Sequence, residues 1–470
     1  MKKYLMISVV VALTIAGCDL IDGTQVRNPD LTLDDAINQP NAASAWVNGL
    51  NRRIAILYND FLTTAELSTD NYENKATFFN QNVDGGTFRD IDNDFDDTQY
   101  QVGRLREEAQ FGLAEVLEAD PDAAGTALEA EMYFYKGWAH LIAGEAFVAL
   151  PAEGGGVPQS PEDHFQDAID AFTAANQIDA NISYDLGLAR AHYNLGNQTE
   201  AVTFARAVLD ADDEYLRVVE YDGVNGPANT FQLAVYERQG FNDLQPLPRL
   251  DFLDPKYGDL PGTDQSPIVI QSAEEAYLII AEAHLADDGL PDAQQTLLDL
   301  KALVDTRPTR DFDETEEGRK GGTTEAVPQR PDSSAFRVRA DANAPFIEGL
   351  VLDRTAATNV PTVSGTSVTD DDINNLANNT EALRLLYLMR QEIFFGEGRR
   401  MFDLGVKWPV SEIEALNNQN VEDAHRQAFI PDYMPEPYST INAFTEDGLD
   451  VTISIDMNRV IAEERGNRFN

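Results

Sequence analysis

Cysteine is almost absent from this chain of 470 residues, which contains only Cys18. A single cysteine excludes an intramolecular disulfide. Long apolar segments are missing too. The apolar run at residues 4–16 is shorter than the about 20 residues that a membrane-spanning helix requires, and the later segments are more polar. The sequence therefore predicts neither a disulfide framework nor a transmembrane helix.

Basic residues are also scarce. The chain has 34 Lys and Arg against 81 Asp and Glu, which gives a formal charge of −47, and only 8 of the basic residues are lysine. Such a negative surface repels nucleic acid phosphates and excludes DNA or RNA as a partner. Two explanations of the acidity stay open. One is a saline environment, where ions screen the repulsion between carboxylates; the other is an acidic surface that only keeps the protein soluble.

The N-terminus has the pattern of a secretory signal: two lysines, an apolar stretch and small residues before Cys18. Residues 15–18 read IAGC, which matches the bacterial lipobox, where the cysteine sulfur receives a lipid. We therefore expect a lipoprotein signal peptide at 1–17, lipidation of Cys18 and a flexible tether at 18–33. Two or three acyl chains would hold the protein firmly on a membrane. The alternative is an ordinary signal peptide with an incidental cysteine.

Apolar residues recur at helical spacing along most of the chain, so we predict a mainly α fold in one domain at 34–470. Two regions, 162–211 and 271–305, contain helix pairs that align on their turns and place small residues at matching positions. This pattern is typical of tetratricopeptide-like pairs that stack into a superhelical scaffold; isolated helical hairpins are the alternative. Long loop insertions at 212–270 and 306–380 and a few short strands, one near 451–455, complete the prediction.

A late segment carries the most specific motif. Residues 390–404 read RQEIFFGEGRRMFDL, and they are supported by AYLIIAEA at 276–283, AEMYF at 130–134 and PVSEI at 409–413. Together with the lipobox and the helix pairs, these segments resemble the SusD/RagB family of nutrient-binding outer-membrane lipoproteins. The resemblance implies a protein on the cell exterior that binds an oligosaccharide or a peptide. It also implies a SusC-like, TonB-dependent barrel as partner, over which the protein closes as a lid.

The charged residues of this motif invite comparison with a hydrolase, which needs two carboxylates placed about one bond. The glycines beside Glu397 instead favour close packing, with its charge and those of Arg399, Arg400 and Asp403 linking neighbouring segments.

The acidic stretch 90–97 lacks the turn glycine of an EF-hand and predicts either a looser calcium site or a solvated loop. No metal-ligand spacing occurs among His140, His164, His192, His284 and His425. The sequence predicts no catalytic residue, no metal ligand and no cofactor.

Ligand binding is predicted for the loop after the first helix, because sugars are recognised by aromatic faces and by polar groups that bond the hydroxyls. The resemblance also implies that this loop belongs to the ligand face. The candidates are Asp70, Asn71, Tyr72, Asn74, Phe78 and Phe79. Phe78 and Phe79 equally suit packing of the loop against the body of the protein. Weaker candidates on other loops are Tyr221, Trp408, Tyr433 and Tyr438.

Two functional hypotheses follow from these features. The first is a nutrient-binding lipoprotein partnered with a TonB-dependent barrel. The second is a helical-repeat scaffold lipoprotein that assists the assembly of outer-membrane proteins and binds no nutrient. The long insertions rich in aromatic residues, proline and glycine favour the first, since a scaffold made only of repeats does not need them.

Overall fold

The computed structural model describes residues 37–74, 81–237, 244–258, 265–312, 331–354 and 357–470. The predicted signal peptide, Cys18 and the tether lie outside these residues, as do Phe78 and Phe79. Nine helices of at least 13 residues occur in the described part of the chain. They are α1 (Ala42–Leu67), α2 (Asn93–Phe111), α3 (Ala127–Ala146), α4 (Pro161–Ile178), α5 (Ile182–Asn194), α6 (Gln198–Ala211), α7 (Ala273–Ala286), α8 (Leu290–Val304) and α9 (Asn379–Ile393).

Helices α1 to α8 pack in sequence order, each against the next, and α9 packs on α7 and α8. The connections within the helix pairs are short: only three residues separate α4 from α5, α5 from α6 and α7 from α8. Gly196, between α5 and α6, has a φ of 74° that favours glycine. Helices α4, α5 and α6 occupy the region predicted at 162–211, and α7 and α8 that at 271–305. The predicted tetratricopeptide-like scaffold is confirmed. The structure extends it to α1, α2 and α3, whose sequences carry no clear repeat signature.

Local signals explain where these helices begin. Ser160 precedes α4, and its Oγ accepts a hydrogen bond from the backbone N–H of Asp163 at 3.2 Å, with Pro161 as the first helical residue. Asn181 and Asn378 cap α5 and α9 in the same way. A side-chain oxygen at this position satisfies one of the backbone donors that a helix N-terminus leaves unpaired.

Glycines let α3, α4 and α5 approach closely. The ring of Phe172, on α4, lies between Gly137 of α3 and Gly187 of α5. A Cβ at Gly137 would lie 2.8 Å from Cε1 of Phe172, and one at Gly187 would lie 2.9 Å from Cε2. Gly144 has the same relation to Phe165, at 2.7 Å. Ordinary carbon contacts are about 3.5–4.0 Å, so a side chain at any of these three positions would force the neighbouring ring to move.

The strands are short and lie between the helices. They are β1 (Tyr72–Asn74), β2 (Leu150–Pro151), β3 (Pro158–Gln159), β4 (Leu216–Val219), β5 (Leu244–Pro246), β6 (Ile268–Ser272), β7 (Thr309–Phe312), β8 (Arg337–Arg339), β9 (Ile347–Glu348), β10 (Thr358–Pro361), β11 (Phe444–Asp447) and β12 (Asp450–Ile453). The largest sheet has the order β11-β12-β8-β9, with β12 parallel to β8. Antiparallel pairs join β1 to β5, β2 to β3, β4 to β6 and β7 to β10. Strand β12 covers most of the strand predicted near 451–455.

Buried ion pairs link the late motif to the rest of the core. Gly396 and Gly398 have φ angles of 74° and 73°, which turn the backbone sharply after α9. A Cβ at Gly398 would lie 2.4 Å from the ring of Phe61. Four pairs with side chains at most 4% exposed surround this turn: Lys256–Glu397, Arg399–Glu275, Arg400–Asp70 and Arg390–Asp403. The charges of the motif therefore hold segments together, as the flanking glycines predicted.

Among the helices in the described ranges, none has both the length and the apolarity needed to cross a bilayer.

Candidate functional site

Three of the predicted ligand residues lie in the core. Asp70 is 2% exposed and pairs with Arg400, whose Nε and Nη2 donate to its oxygens at 2.6 and 2.8 Å. Tyr72 is 1% exposed and stacks on Phe395 with ring centroids 4.6 Å apart. Asn71 is fully buried. These side chains present almost no surface to a ligand, because the structure uses them to join the first helix region to the late motif.

Asn71 belongs to a chain of directional hydrogen bonds. Arg400 Nη1 donates to Asn458 Oδ1 at 2.8 Å, and Asn458 Nδ2 donates to Gln391 Oε1 at 2.8 Å. Gln391 Nε2 then donates to Asn71 Oδ1 at 3.1 Å, and Asn71 Nδ2 donates to Glu66 Oε2 at 2.8 Å. A guanidinium only donates, so Arg400 alone fixes the orientation of all three amides.

The remaining predicted residues divide into three groups. Asn74 ends β1 and is 8% exposed, and its backbone N–H donates to Asp84 Oδ2 at 3.3 Å. Phe78 and Phe79 lie outside the described residues and stay predictions. The hydroxyl or indole groups of the four weaker candidates bond within the protein: Tyr221 to Ala55 O, Trp408 to Ser68 Oγ, Tyr433 to Leu404 O and Tyr438 to Ser68 O.

The acidic stretch at 90–97 makes several separate contacts. Asp90 pairs with Arg426 at 2.5 Å, and Asp92 pairs with Arg89 at 2.5 Å just before α2. Asp96 accepts a hydrogen bond from Ser411 Oγ at 2.8 Å. These carboxylates bond to different partners, and the described residues do not gather them around one point as a calcium site requires.

A cleft of about 860 Å³ lies between α2, α3 and α4, beside the loop that joins β2 to β3. We call it the α2 cleft. Its walls carry the half-buried rings of Phe111 and Tyr133, the amide of Gln110 and two cations, Arg106 and Lys136. Five carboxylates also line it: Glu107, Glu115, Glu153, Asp167 and Asp170. The cleft therefore combines aromatic faces with a strongly polar, net negative wall.

A second hollow of about 270 Å³ continues the cleft along α2 and shares Arg106, Glu107, Glu153 and Gly154 with it. Its outer wall includes Tyr100, whose ring is 59% exposed, and the neighbouring amides of Gln99 and Asn417. Together the two hollows form one elongated depression, with room for several linked rings.

The shape of the α2 cleft depends on a π-helical turn, Gly112–Val116, that continues α2. Trp46 of α1 packs against this turn, and its Nε1 donates to the carbonyl oxygen of Glu108 at 2.8 Å. A Cβ at Gly112 would lie 2.7 Å from Cδ1 of Trp46, so the indole fits only against glycine. Side chains that insert beside a helix distort its hydrogen-bond ladder, and π turns are frequent at functional sites.

Arg106 forms the floor of the α2 cleft. It is 6% exposed and donates from Nη1 to the carbonyl oxygen of Pro151, which anchors β2. Burial lowers the pKa of its guanidinium, and nearby carboxylates, Glu107 first, oppose that shift. Nη2 lies 3.7 Å from Oε1 of Glu107, whose side chain is 51% exposed. The floor thus offers a buried cation beside a solvated carboxylate.

Two histidines and an aspartate meet at one side of the same cleft. His140 on α3 is 3% exposed and His164 on α4 is fully buried, and their Nδ1 atoms are 3.0 Å apart. Asp167 Oδ2 lies 3.6 Å from His140 Nδ1. Burial lowers the pKa of both imidazoles, that of His164 to about 4, so both are neutral near pH 7. Burial raises the pKa of Asp167.

Among the described residues, this is the one group of three side chains with the spacing of metal ligands. The sequence prediction of no metal ligand considered spacing along the chain, and His140 and His164 are on different helices. The signal that was available is the spacing of His164 and Asp167, which lie one turn apart and share a face of α4.

Sequence comparisons identify no relative: no family model matches the chain, and no curated protein matches it significantly. Solved structures do share its fold. A SusD superfamily protein from Bacteroides fragilis has a TM-score of 0.55 and 13% identity, covering 83% of this chain and 100% of the other. One from Bacteroides thetaiotaomicron has a TM-score of 0.51 and 11% identity, covering 88% and 96%. A laminarin-binding SusD-like protein has a TM-score of 0.50 and 11% identity, covering 81% and 98%.

The chain therefore has the SusD-like fold, and the resemblance predicted from the motifs is confirmed at the level of fold.

Proposed function

We propose that this protein is a non-catalytic, nutrient-binding lipoprotein of the cell exterior that captures an oligosaccharide. One observation carries the proposal: the SusD-like fold extends over 83% of this chain and over all of a solved SusD superfamily protein. A second structure of the same fold is a laminarin-binding protein, and this favours a glycan over a peptide as the ligand.

The α2 cleft and the hollow beside it are the ligand site in this proposal. The exposed face of Tyr100 and the half-buried faces of Phe111 and Tyr133 suit the apolar C–H faces of sugar rings. The carboxylates and amides between them suit the hydroxyl groups, which need both donors and acceptors. The elongated shape of the depression suits a chain of several sugars.

Calorimetric titration with laminarin oligosaccharides and a panel of other glycans tests the site. Tyr100→Ala should weaken binding of the recognised glycan about tenfold, because one lost aromatic face is worth about 1.4 kcal/mol. Phe429→Ala is the matched control, since this ring is also exposed, by 54%, and is not among the residues that line the cleft. Equal losses in the two variants would place the ligand elsewhere, and no binding across the panel would contradict the proposal.

The anchor and the partner form the second part of the proposal. The lipobox at 15–18 supports a lipid on Cys18, and the SusD-like fold supports a SusC-like, TonB-dependent barrel that the protein covers as a lid. Metabolic labelling with palmitate should mark the wild type and not Cys18→Ser. Pull-down from solubilised outer membranes should recover a large transporter barrel. Recovery of the barrel-assembly machinery without a transporter would instead favour the scaffold hypothesis.

A further inference from the structure

The side chains of His140, His164 and Asp167 meet where α3 packs on α4. His164 and Asp167 lie three residues apart on α4 and project from the same face, toward α3. His140 reaches the same point from α3. Two packed helices therefore hold three side chains of the type that bind transition metals: two imidazoles and one carboxylate.

The separations fit one metal ion. An ion bound at about 2.0–2.1 Å by tetrahedral ligands places those ligand atoms about 3.4 Å from one another. The two Nδ1 atoms are 3.0 Å apart, and His140 Nδ1 lies 3.6 Å from Asp167 Oδ2. All three ligand atoms lie within 4.8 Å of one another. The first two separations differ from tetrahedral spacing by only a few tenths of an ångström.

The partner of His164 sets its tautomer. Nε2 of His164 lies 2.9 Å from the carbonyl oxygen of Leu150, which only accepts. Nε2 therefore carries the hydrogen, and Nδ1 directs its lone pair toward His140. In metal-binding histidines, the ring nitrogen that does not bind the metal usually donates its hydrogen to a backbone carbonyl or a carboxylate, and this bond orients the ring.

In the absence of an ion, His140 Nδ1–H donates to the His164 lone pair. For both imidazoles to bind a metal, His140 must carry its hydrogen on Nε2. That change is a tautomer exchange through solvent and leaves the net charge of the ring unchanged. His140 lines the α2 cleft, although its ring is only 3% exposed.

The site opens on one side. His140 and Asp167 both line the α2 cleft, and the Asp167 side chain is 36% exposed, whereas His164 is buried. Three protein ligands and one open position are typical of a metal site that also binds water or a ligand. Five carboxylates against two cations on the cleft wall make its field attractive to a divalent cation.

We propose that His140 Nδ1, His164 Nδ1 and Asp167 Oδ2 bind one divalent transition metal ion, with the fourth coordination position open to the α2 cleft. The proposal does not depend on a glycan occupying that cleft.

The test is equilibrium dialysis of the full chain, without a polyhistidine tag, against ZnCl₂ at pH 7.5 after removal of metals with a chelator. The wild type should bind one Zn²⁺ tightly. Asp167→Asn should lower that affinity more than about 100-fold, since even the loss of a supporting group outside the ligand set lowers metal affinity 10–100-fold.

Asp170→Asn is the matched control. Asp170 lies on the same helix and lines the same cleft, so the variant makes the same charge change without removing a ligand. Its affinity should stay within a few-fold of the wild type. Asp167 is partly exposed, so its replacement should leave the fold intact, which thermal unfolding of the metal-free variant checks. Absence of stoichiometric Zn²⁺ binding, or equal losses in the two variants, would overturn the proposal and leave a neutral histidine pair that only packs.

Discussion

The ring of Phe172 between Gly137 and Gly187 allows the packing of the scaffold to be tested with one methyl group. Replacing Gly137 with alanine would place Cβ 2.8, 2.9 and 3.1 Å from three carbons of the ring. The ring must then move by nearly 1 Å to restore ordinary contacts. Gly187 and the backbone of α5 block it on the opposite side, and Phe172 is fully buried. We therefore expect an overpacking cost of about 1–3 kcal/mol.

Helix propensity acts in the opposite direction. Alanine is favoured over glycine inside a helix by about 1 kcal/mol, so Gly137→Ala alone should destabilise the protein by up to about 2 kcal/mol. Gly49 supplies the matched control, because it lies inside α1 and a Cβ there would meet nothing within 4 Å. Gly49→Ala should stabilise the protein by about 1 kcal/mol. The propensity gain cancels between the two variants, and their difference of about 1–3 kcal/mol isolates the packing cost.

The assay is urea unfolding followed by far-ultraviolet circular dichroism, with the three proteins measured side by side. The expected order of stability is Gly49→Ala, then the wild type, then Gly137→Ala. A double-mutant cycle with Phe172→Leu should show that the smaller side chain at 172 relieves part of the cost at 137. If Gly137→Ala is as stable as Gly49→Ala, the packing argument is refuted.

Two further predictions concern buried charge. Burial raises the pKa of Glu66 from 4.5 to about 7, so between these pH values the folded state binds a proton that the unfolded state has lost. The free energy of unfolding of the wild type, relative to that of Glu66→Gln, should therefore fall by up to about 3 kcal/mol as pH rises from 4.5 to above 7. Urea unfolding of both proteins across that pH range measures this difference. A difference that does not change with pH would contradict the reasoning. Asp403→Ala should cost about 3–5 kcal/mol because it leaves Arg390 buried without its partner. Asp305→Ala, which removes an exposed pair with Lys301, should change stability by less than about 1 kcal/mol in the same assay.

The bonds of Asp70 and Asn71 explain why the late motif is so dense in charge and glycine. Asp70 and Arg400 are 330 positions apart in the sequence, and their ion pair joins the end of α1 to the segment after α9. Arg400 of the same segment also begins the chain of hydrogen-bonded amides that ends on Glu66. Positive φ at Gly396 and Gly398 turns the backbone so that successive charged side chains reach different partners. The residues of the motif therefore hold distant segments of the fold together, and this explains why the motif predicted the fold.

The sequence alone determined the helical character and the repeat architecture. Apolar residues at helical spacing predicted a mainly α fold, because the sequence of an amphipathic helix shows which of its faces is buried. The aligned turns of the two helix-pair regions predicted stacked hairpins, and the motif at 390–404 predicted the SusD-like fold. These signals are local or repeat along the chain, so they can be recognised without knowing which residues each segment contacts in the folded protein.

Only the tertiary structure decided which polar residues are buried together and which face a ligand. Asp70, Asn71 and Tyr72 have the composition of a binding loop, yet each meets residues from distant segments and lies in the core. His140 and His164 belong to separate helices, and the packing of α3 on α4 brings their Nδ1 atoms to 3.0 Å. Spacing along one helix encodes a face. The side chains that meet across two helices depend on how the helices pack, which no local pattern records.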